Sequence, residues 1–174
     1  MLIRLLERGW ITHLATNGAG IIHDWEFAFQ GQSSEDVRRY VAEGQFGLWE
    51  ETGFTINLAL IVGAYEGKGY GESIGALIEN EGVTIPPASA LTGTAAGLDL
   101  AETIGRFKLA AGFRRVAHPF KQFSVQAAAY RLGIPFTGHP MFGHDIIYTH
   151  PVSCGAAIGR CAERDFLAFA HSVA

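Results

Sequence analysis

The sequence predicts an α/β protein in which a parallel sheet is flanked by helices. Near its start, the apolar segment ITHLAT (11–16), the glycine turn NGAG (17–20) and an apolar helical run follow one another, in the order strand, turn, helix. The second half repeats this alternation with FRRVAH (113–118), the alanine-rich SVQAAAYRLG (124–133) and IPFTGH (134–139). Sequential strands joined by helices imply parallel pairing.

The helices are predicted from apolar runs that end at capping residues and glycines. Residues 2–9 form an amphipathic helix. Ser33 and Ser34 stand before EDVRRYVAEG as an N-cap, and Gly44 ends that helix. The small-residue stretch 82–97 is typical of a surface loop. Further helices are expected at 49–65, 72–79, 98–111 and 161–174.

The composition narrows the class of protein. A chain of 174 residues, 48% of them hydrophobic and 17% charged, can bury one substantial core, so we expect a single α/β domain over 1–174. So apolar a composition favours a surface partly covered by other subunits, and we expect a homo-oligomer. The net charge of −4, with no Lys/Arg cluster, argues against a nucleic-acid partner.

The location of the protein is predicted from its apolar runs and its cysteines. The run INLALIVGAY is too short to span a bilayer, so we expect no membrane segment. Cys154 and Cys161 match neither a metal knuckle nor a disulfide framework. Reduced thiols and a cytoplasmic location are therefore expected.

The first candidate site is the glycine turn after the first strand. Small residues at this place allow backbone amides to approach a phosphate or nucleotide at a helix N-terminus. We therefore predict cofactor binding by Thr16, Asn17, Gly18, Ala19 and Gly20. The turn matches neither GxGxxG nor the P-loop pattern, so a simple tight turn is the alternative.

Ionisable residues follow this turn. His23 is suited to proton transfer near neutral pH and is predicted to be catalytic, and Asp24 is predicted to bind substrate. Glu26 adds a second carboxylate. The alternative is that these carboxylates only complement the positive end of the helix dipole.

The second candidate site is the loop TGHPMFGHDIIYTHP (137–151). Histidine suits proton transfer or metal ligation, and Asp145 could orient a histidine or hold a cation, an ammonium group or a ribose hydroxyl. We predict that His144 and Asp145 are catalytic and that Asp145 also binds substrate. Ligands of an open parallel sheet lie beyond the carboxyl ends of its strands, so we expect this loop and the glycine turn to share one rim.

Two alternatives stay open for the second site. It could be the centre of a metal-dependent hydrolase that uses His139, His144, Asp145 and His150 together. This pattern lacks the HxxxH or HExxH spacing that fixes ligands on one helical face. It could also be a polar loop with capping histidines.

Several segments resemble the deoxyhypusine synthase family, including its divergent bacterial members. They are HLATNGAGIIHDWEFAF, SSEDVRRYVAEGQFGLWEETG and SVQAAAYRLGIPF together with GHDIIYTHP, and they cover most of the chain. The T-x-G-type turn of that family, followed by an acidic or His-Asp pair, resembles residues 16–18 and 23–24 here. Its I-P strand, which leads to a Gly-Asp-(Met/Ile)-Ile loop, resembles residues 134–135 and 145–147.

The resemblance implies a Rossmann-like parallel sheet, NAD bound at the glycine turn, and a tetramer with sites between subunits. It also implies NAD-dependent transfer of an aminobutyl or related group from spermidine, or another amine or polyamine, to a lysine through an imine on an enzyme lysine. In this sequence His23 stands in the place of a substrate-binding glutamate, and Pro140 in the place of an aspartate.

The catalytic lysine of the family is the largest departure. Its motif would lie beyond Ala174, and neither Lys108 nor Lys121 matches it. The family's first nucleotide-binding strand would precede Met1. We therefore expect an incomplete or reduced relative, for which a noncatalytic nucleotide-binding module is a further alternative.

Overall fold

The computed structural model describes residues 1–91 and 93–174 of the chain. Short 3-10 helices lie at Ala88–Ala90, Lys121–Phe123 and Ile146–Thr149. The remaining elements are, in order, α1 (Leu2–Glu7), β1 (Leu14–Asn17), α2 (Gly18–Gln30), α3 (Val37–Ala42), α4 (Glu50–Glu66), α5 (Tyr70–Asn80), β2 (Gly82–Ile85), α6 (Ala95–Phe107), β3 (Gly112–Arg115), α7 (Val125–Leu132), β4 (Phe136–His139) and α8 (Gly155–Val173).

A small parallel sheet pairs a strand near the start of the chain with a strand from its second half. β1 pairs with β4, with Leu14 opposite Phe136 and Asn17 opposite His139. α2 follows β1 directly, and α5, α7 and α8 all contact β4. The protein is therefore mixed α/β with a two-stranded parallel sheet flanked by helices, which confirms the predicted class in this coarser form.

The prediction of parallel pairing is wrong for FRRVAH. Its strand β3 pairs antiparallel with β2, with Gly82 opposite Arg115 and Ile85 opposite Gly112. β2 lies inside the stretch 82–97 that was predicted as a surface loop, and within that stretch Thr92 is outside the described residues. The alternation of apolar and polar residues that identifies a strand does not encode its direction, so the sequence could not show this pairing.

The predicted N-cap of the third helix is also wrong. Asp36 is the N-cap of α3 and accepts a hydrogen bond from the Arg39 N–H at 3.1 Å. Ser33 donates instead to Glu26, at 3.2 Å, and the Ser34 hydroxyl accepts from a glutamine of α2. The side chains of the two serines hydrogen-bond to residues of α2, so Asp36 caps α3 instead.

Other predicted boundaries shift by a few residues. β1 begins at Leu14 rather than at residue 11, and α8 begins at Gly155 rather than at residue 161. α2 begins at Gly18, so most of the glycine turn is the first turn of the helix itself. The other predicted helices are present, with ends that differ by at most four residues.

α4 forms the centre of the core. Most of its residues are buried, because the helix packs against α5, α6, α8 and β2. Trp25 of α2, Tyr70 and Ile74 of α5, and Ile158 of α8 belong to the same apolar cluster. A helix that is apolar all round is expected at such a position.

The surface carries many large apolar side chains. Val37, Val41, Phe123, Phe166 and Val173 are among those that are more than half exposed. Exposed apolar surface of this kind is typical of subunit interfaces, and the predicted homo-oligomer stays a prediction. In the part of the chain that the structure describes, no helix is both long and apolar enough to cross a membrane.

Candidate functional site

The residues that follow β1 and β4 meet at one edge of the parallel sheet. The two strands run side by side in the same direction, so their carboxyl ends lie together. Gly18 follows β1, and the loop after β4 leads to Asp145. The Asp145 carboxylate lies so close to the Gly18 Cα that a Cβ at this position would collide with it. The structure therefore brings the glycine turn and the histidine-rich loop together, as expected.

Asp145 is a carboxylate with little solvation. Its side chain is 6% exposed, and the Met141 N–H donates to its Oδ2 at 3.2 Å. The mostly exposed His144 places its Nδ1 3.9 Å from Oδ1. Burial raises the pKa of Asp145, and the Met141 amide and His144 only partly offset this effect. A carboxylate in this environment is stabilised by an additional cationic partner.

Two tyrosines whose hydroxyl oxygens are buried, Tyr70 and Tyr148, lie within electrostatic reach of Asp145. Among the described residues, neither the Tyr70 nor the Tyr148 hydroxyl has a hydrogen-bond partner. Burial raises the pKa of both phenols, and the charge of Asp145 raises it further, to about 12 for Tyr148. Both hydroxyls therefore stay neutral and keep their capacity to donate and accept. We refer to Gly18, Tyr70, Asp145 and Tyr148 as the Asp145 site.

The predicted cofactor turn has most of its contacts satisfied within the chain. Asn17 Oδ1 accepts from the Gly20 N–H at 3.0 Å and caps α2, and the Thr16 hydroxyl packs against the Gly20 Cα. The Asp145 carboxylate fills the space beside Gly18. A phosphate at that position would meet another anion, so this turn does not fit the pyrophosphate of NAD in the observed conformation.

His23 lies in a different environment. It follows Ala19 by one turn on the exposed side of α2, with its side chain 54% exposed. Its Nδ1 is 3.2 Å from Oε2 of Glu26, whose side chain is 1% exposed. This arrangement orients the ring and leaves Nε2 as the nitrogen available for proton transfer. The predicted catalytic role of His23 stays a prediction, separate from the Asp145 site.

Asp24 caps a neighbouring helix. Its carboxylate accepts from the Ser124 hydroxyl at 2.6 Å, the Val125 N–H at 3.0 Å, and both the backbone N–H and the Nε2 of Gln126. These donors belong to the start of α7. A carboxylate with this set of donors has little capacity left for a ligand, so we do not include Asp24 in the candidate site.

His139 takes part in a polar network on one face of the sheet. Its Nε2 is 3.0 Å from the Thr137 hydroxyl, which is 2.9 Å from Nε2 of His13. His13 Nδ1 is 2.6 Å from the Ser172 hydroxyl, near the end of α8. Burial, followed by the proximity of His139, lowers the pKa of His13. This network connects the sheet to the end of α8.

The four residues predicted to share a metal lie in three environments. His150 pairs with Glu50 at 2.9 Å, His144 lies beside Asp145, and His139 belongs to the network just described. Among residues 1–91 and 93–174, no group of three or more His, Cys, Asp or Glu is placed to hold a metal ion. The hydrolase alternative therefore loses the shared site on which it was based.

No family model, curated protein or solved structure matches this chain. The resemblance to the deoxyhypusine synthase family therefore stays a prediction carried by the segments quoted above. What the Asp145 site binds has to be argued from its own side chains.

Asp165 is a buried carboxylate that the sequence reasoning missed. Its Oδ2 accepts from the Gly71 N–H at 2.8 Å and from the Gly138 N–H at 2.6 Å, so it links α8 to the start of α5 and to β4. Burial raises its pKa to about 6 in spite of these bonds. The available signal was its helical spacing from Ile158 and Cys161, which places Asp165 on the buried face of α8.

Proposed function

We propose that this protein binds an aliphatic amine, such as a polyamine, at the Asp145 site. The observation that carries the proposal is the poorly solvated Asp145 carboxylate, which lies within electrostatic reach of two buried hydroxyls that have no hydrogen-bond partner among the described residues. An ammonium group donates several hydrogen bonds from one charged centre. One can go to Asp145, and others can go to the oxygens of Tyr70 and Tyr148.

The adjoining loop favours a ligand with an apolar body. Met141 and Phe142 are each 59% exposed, and they precede Asp145 by only a few residues. Methylene groups of an aliphatic amine can pack on such side chains while the ammonium group pairs with the carboxylate. The loop after β4 thus offers apolar side chains for the methylene groups of an alkylamine and a carboxylate for its ammonium group.

The finer parts of the proposal come from the resemblance. They are a Rossmann-like arrangement of the sheet, NAD as cofactor, and transfer of an aminobutyl group from a polyamine. The order β1, α2 and the parallel pairing of β1 with β4 support the first part. Because the Asp145 carboxylate fills the space at Gly18, we derive no catalytic step through NAD. Amine binding without turnover is the corresponding noncatalytic alternative.

Calorimetric titration with spermidine tests the amine site. We expect saturable binding to the wild type and about tenfold or greater weakening in Asp145→Asn, because a charge-assisted hydrogen bond becomes a neutral one. Glu163→Gln is the matched control, since it removes one carboxylate from the exposed surface of α8. Circular dichroism checks that both variants fold. Equal affinity of the wild type and Asp145→Asn would remove Asp145 from the site.

A second titration separates binding from redox chemistry. NAD is added first and spermidine second, while the absorbance of the reduced nicotinamide is followed. Reduction that requires both compounds supports a transferase of the deoxyhypusine synthase type. Spermidine binding without reduction leaves the amine site in place and removes the NAD-dependent part of the proposal.

A further inference from the structure

A separate cleft of about 340 Å³ is lined by residues of α5, α7, β4 and α8. Its volume falls at the lower end of the range of small-molecule sites, about 300–1,000 Å³. Glu72 and Asp165 line it, and none of its described lining residues is a lysine, arginine or histidine. The cleft is therefore acidic, and it does not include Asp145.

Gln126, which lines this cleft, carries a buried acceptor that has no hydrogen-bond partner among the described residues. The residue is fully buried and lines the cleft. Its Nε2 donates to the Ile21 carbonyl at 3.0 Å and to Asp24 Oδ2 at 3.0 Å, which fixes the orientation of the amide. Its Oε1 has no hydrogen-bond partner among the described residues. Buried polar atoms are rarely left unpaired, so this oxygen is an independent indication of a ligand.

Asp165 also keeps acceptor capacity. The amides of Gly71 and Gly138 both donate to Oδ2, the Tyr70 amide also interacts with the carboxylate, and Oδ1 lies beside the Cα of Gly69. A carboxylate oxygen can accept more than one hydrogen bond, so Asp165 can anchor the local fold and still receive a donor from a ligand. The largely exposed Glu72 stands at the same cleft.

We propose that this cleft binds the guanidinium group of a small molecule. A guanidinium is planar, stays charged and presents its donors as a fork, so it can reach separate acceptors on Glu72, Asp165 and Gln126. Tyr130 and Phe136 line the same cleft and offer aromatic surface to a flat cation. An ammonium group has fewer donors, all on one nitrogen, and matches this arrangement less well. The inference does not depend on the proposed function of the Asp145 site.

Calorimetry with n-butylguanidine and n-butylamine tests the inference on the full chain. At this cleft of the wild type, we expect n-butylguanidine to bind at least about tenfold more tightly than n-butylamine. Glu72→Gln should weaken n-butylguanidine binding by about tenfold. Ala168→Leu fills the cleft from its half-buried edge and should abolish binding, whereas Ala168→Ser should retain it. Asp145→Asn should leave it unchanged.

Three results would overturn the inference. The first is that n-butylguanidine does not bind the wild type. The second is that Glu72→Gln and Ala168→Leu both bind it as tightly as the wild type does. The third is that binding is lost in Asp145→Asn alone. The last result would assign the guanidinium to the amine site. Spermidine binding is measured on the same variants, so a failure of this cleft and a failure of the Asp145 site are distinguishable.

Discussion

The Asp145 carboxylate lies against the Cα of Gly18 and leaves no space for a side chain at that position. This contact joins the loop after β4 to the first turn of α2 at the carboxyl edge of the parallel sheet. It brings a buried anion to the place where a nucleotide phosphate was predicted. The need for glycine at position 18 is therefore explained by packing within the chain.

Gly18→Ala should destabilise the protein by about 1–3 kcal/mol, because the added methyl group collides with the carboxylate. Gly155→Ala is the matched control, since Gly155 is also the first residue of a helix and a Cβ there meets none of the described residues. That control should be neutral or stabilising by up to about 1 kcal/mol. Urea denaturation measures both changes, and equal stability of the two variants would contradict the packing described.

His118 should make the fold sensitive to acid. It is buried, with its ring edge-on to Trp25 and Phe29, and burial lowers its pKa from 6.5 to about 4. Between pH 6.5 and about 4, His118 is protonated in the unfolded chain but stays neutral in the folded protein. Stability is therefore lost as the pH falls from 6.5 towards 4, by roughly 2 kcal/mol at pH 5.

Urea denaturation of the wild type and His118→Phe at pH 7 and pH 5 measures this effect. The wild type should lose more stability than the variant between the two pH values. This comparison concerns the pH dependence, so it holds even if the phenylalanine changes the stability at pH 7. Parallel losses in the two proteins would show that His118 does not cause the sensitivity.

Asp165 should have the opposite effect on the pH dependence of stability, because it stabilises the fold at low pH. Its pKa rises from 3.8 to about 6 in the folded protein, chiefly through burial, so the folded state holds a proton that the unfolded state has released. This contribution to stability is full below pH 3.8 and is lost as the pH rises through 6, with a change of roughly 2 kcal/mol between pH 4 and 7. The difference in unfolding free energy between the wild type and Asp165→Asn should decrease over this range.

An NMR titration of the Asp165 carboxyl checks the same point without a substitution. Its midpoint should lie near 6. A midpoint near the ordinary value of 3.8 would contradict the burial-induced shift.

Asp24→Ala should cost about 2 kcal/mol of stability, because it removes the acceptor of the first backbone N–H groups of α7 and leaves the Ser124 and Gln126 donors unpaired. Asp36→Ala, which removes the exposed cap of α3, should cost about 1 kcal/mol. Spermidine affinity should be the same in both variants. Normal stability with lost spermidine binding in Asp24→Ala would restore the substrate-binding role predicted from the sequence.

The sequence predicted the meeting of the two loops but not all of the residues in the site. Parallel pairing of β1 and β4 is sufficient to bring the regions of Gly18 and Asp145 to one edge. The Tyr70 and Tyr148 hydroxyls have no hydrogen-bond partner in the described part of the chain because of tertiary packing, which has no local sequence signal. The role of Asp24 was missed for the same reason, since its donors lie far away in the sequence, at the start of α7.

NMR of the tyrosine rings during a spermidine titration shows directly whether an amine binds at the Asp145 site. Amine binding at the Asp145 site should cause saturable shifts of the Tyr70 and Tyr148 resonances in the wild type, with little change for Tyr130 of the other cleft. In Asp145→Asn the shifts should require about tenfold or more additional spermidine. Unshifted Tyr70 and Tyr148 resonances at spermidine concentrations that saturate the heat of binding would contradict an amine site at Asp145.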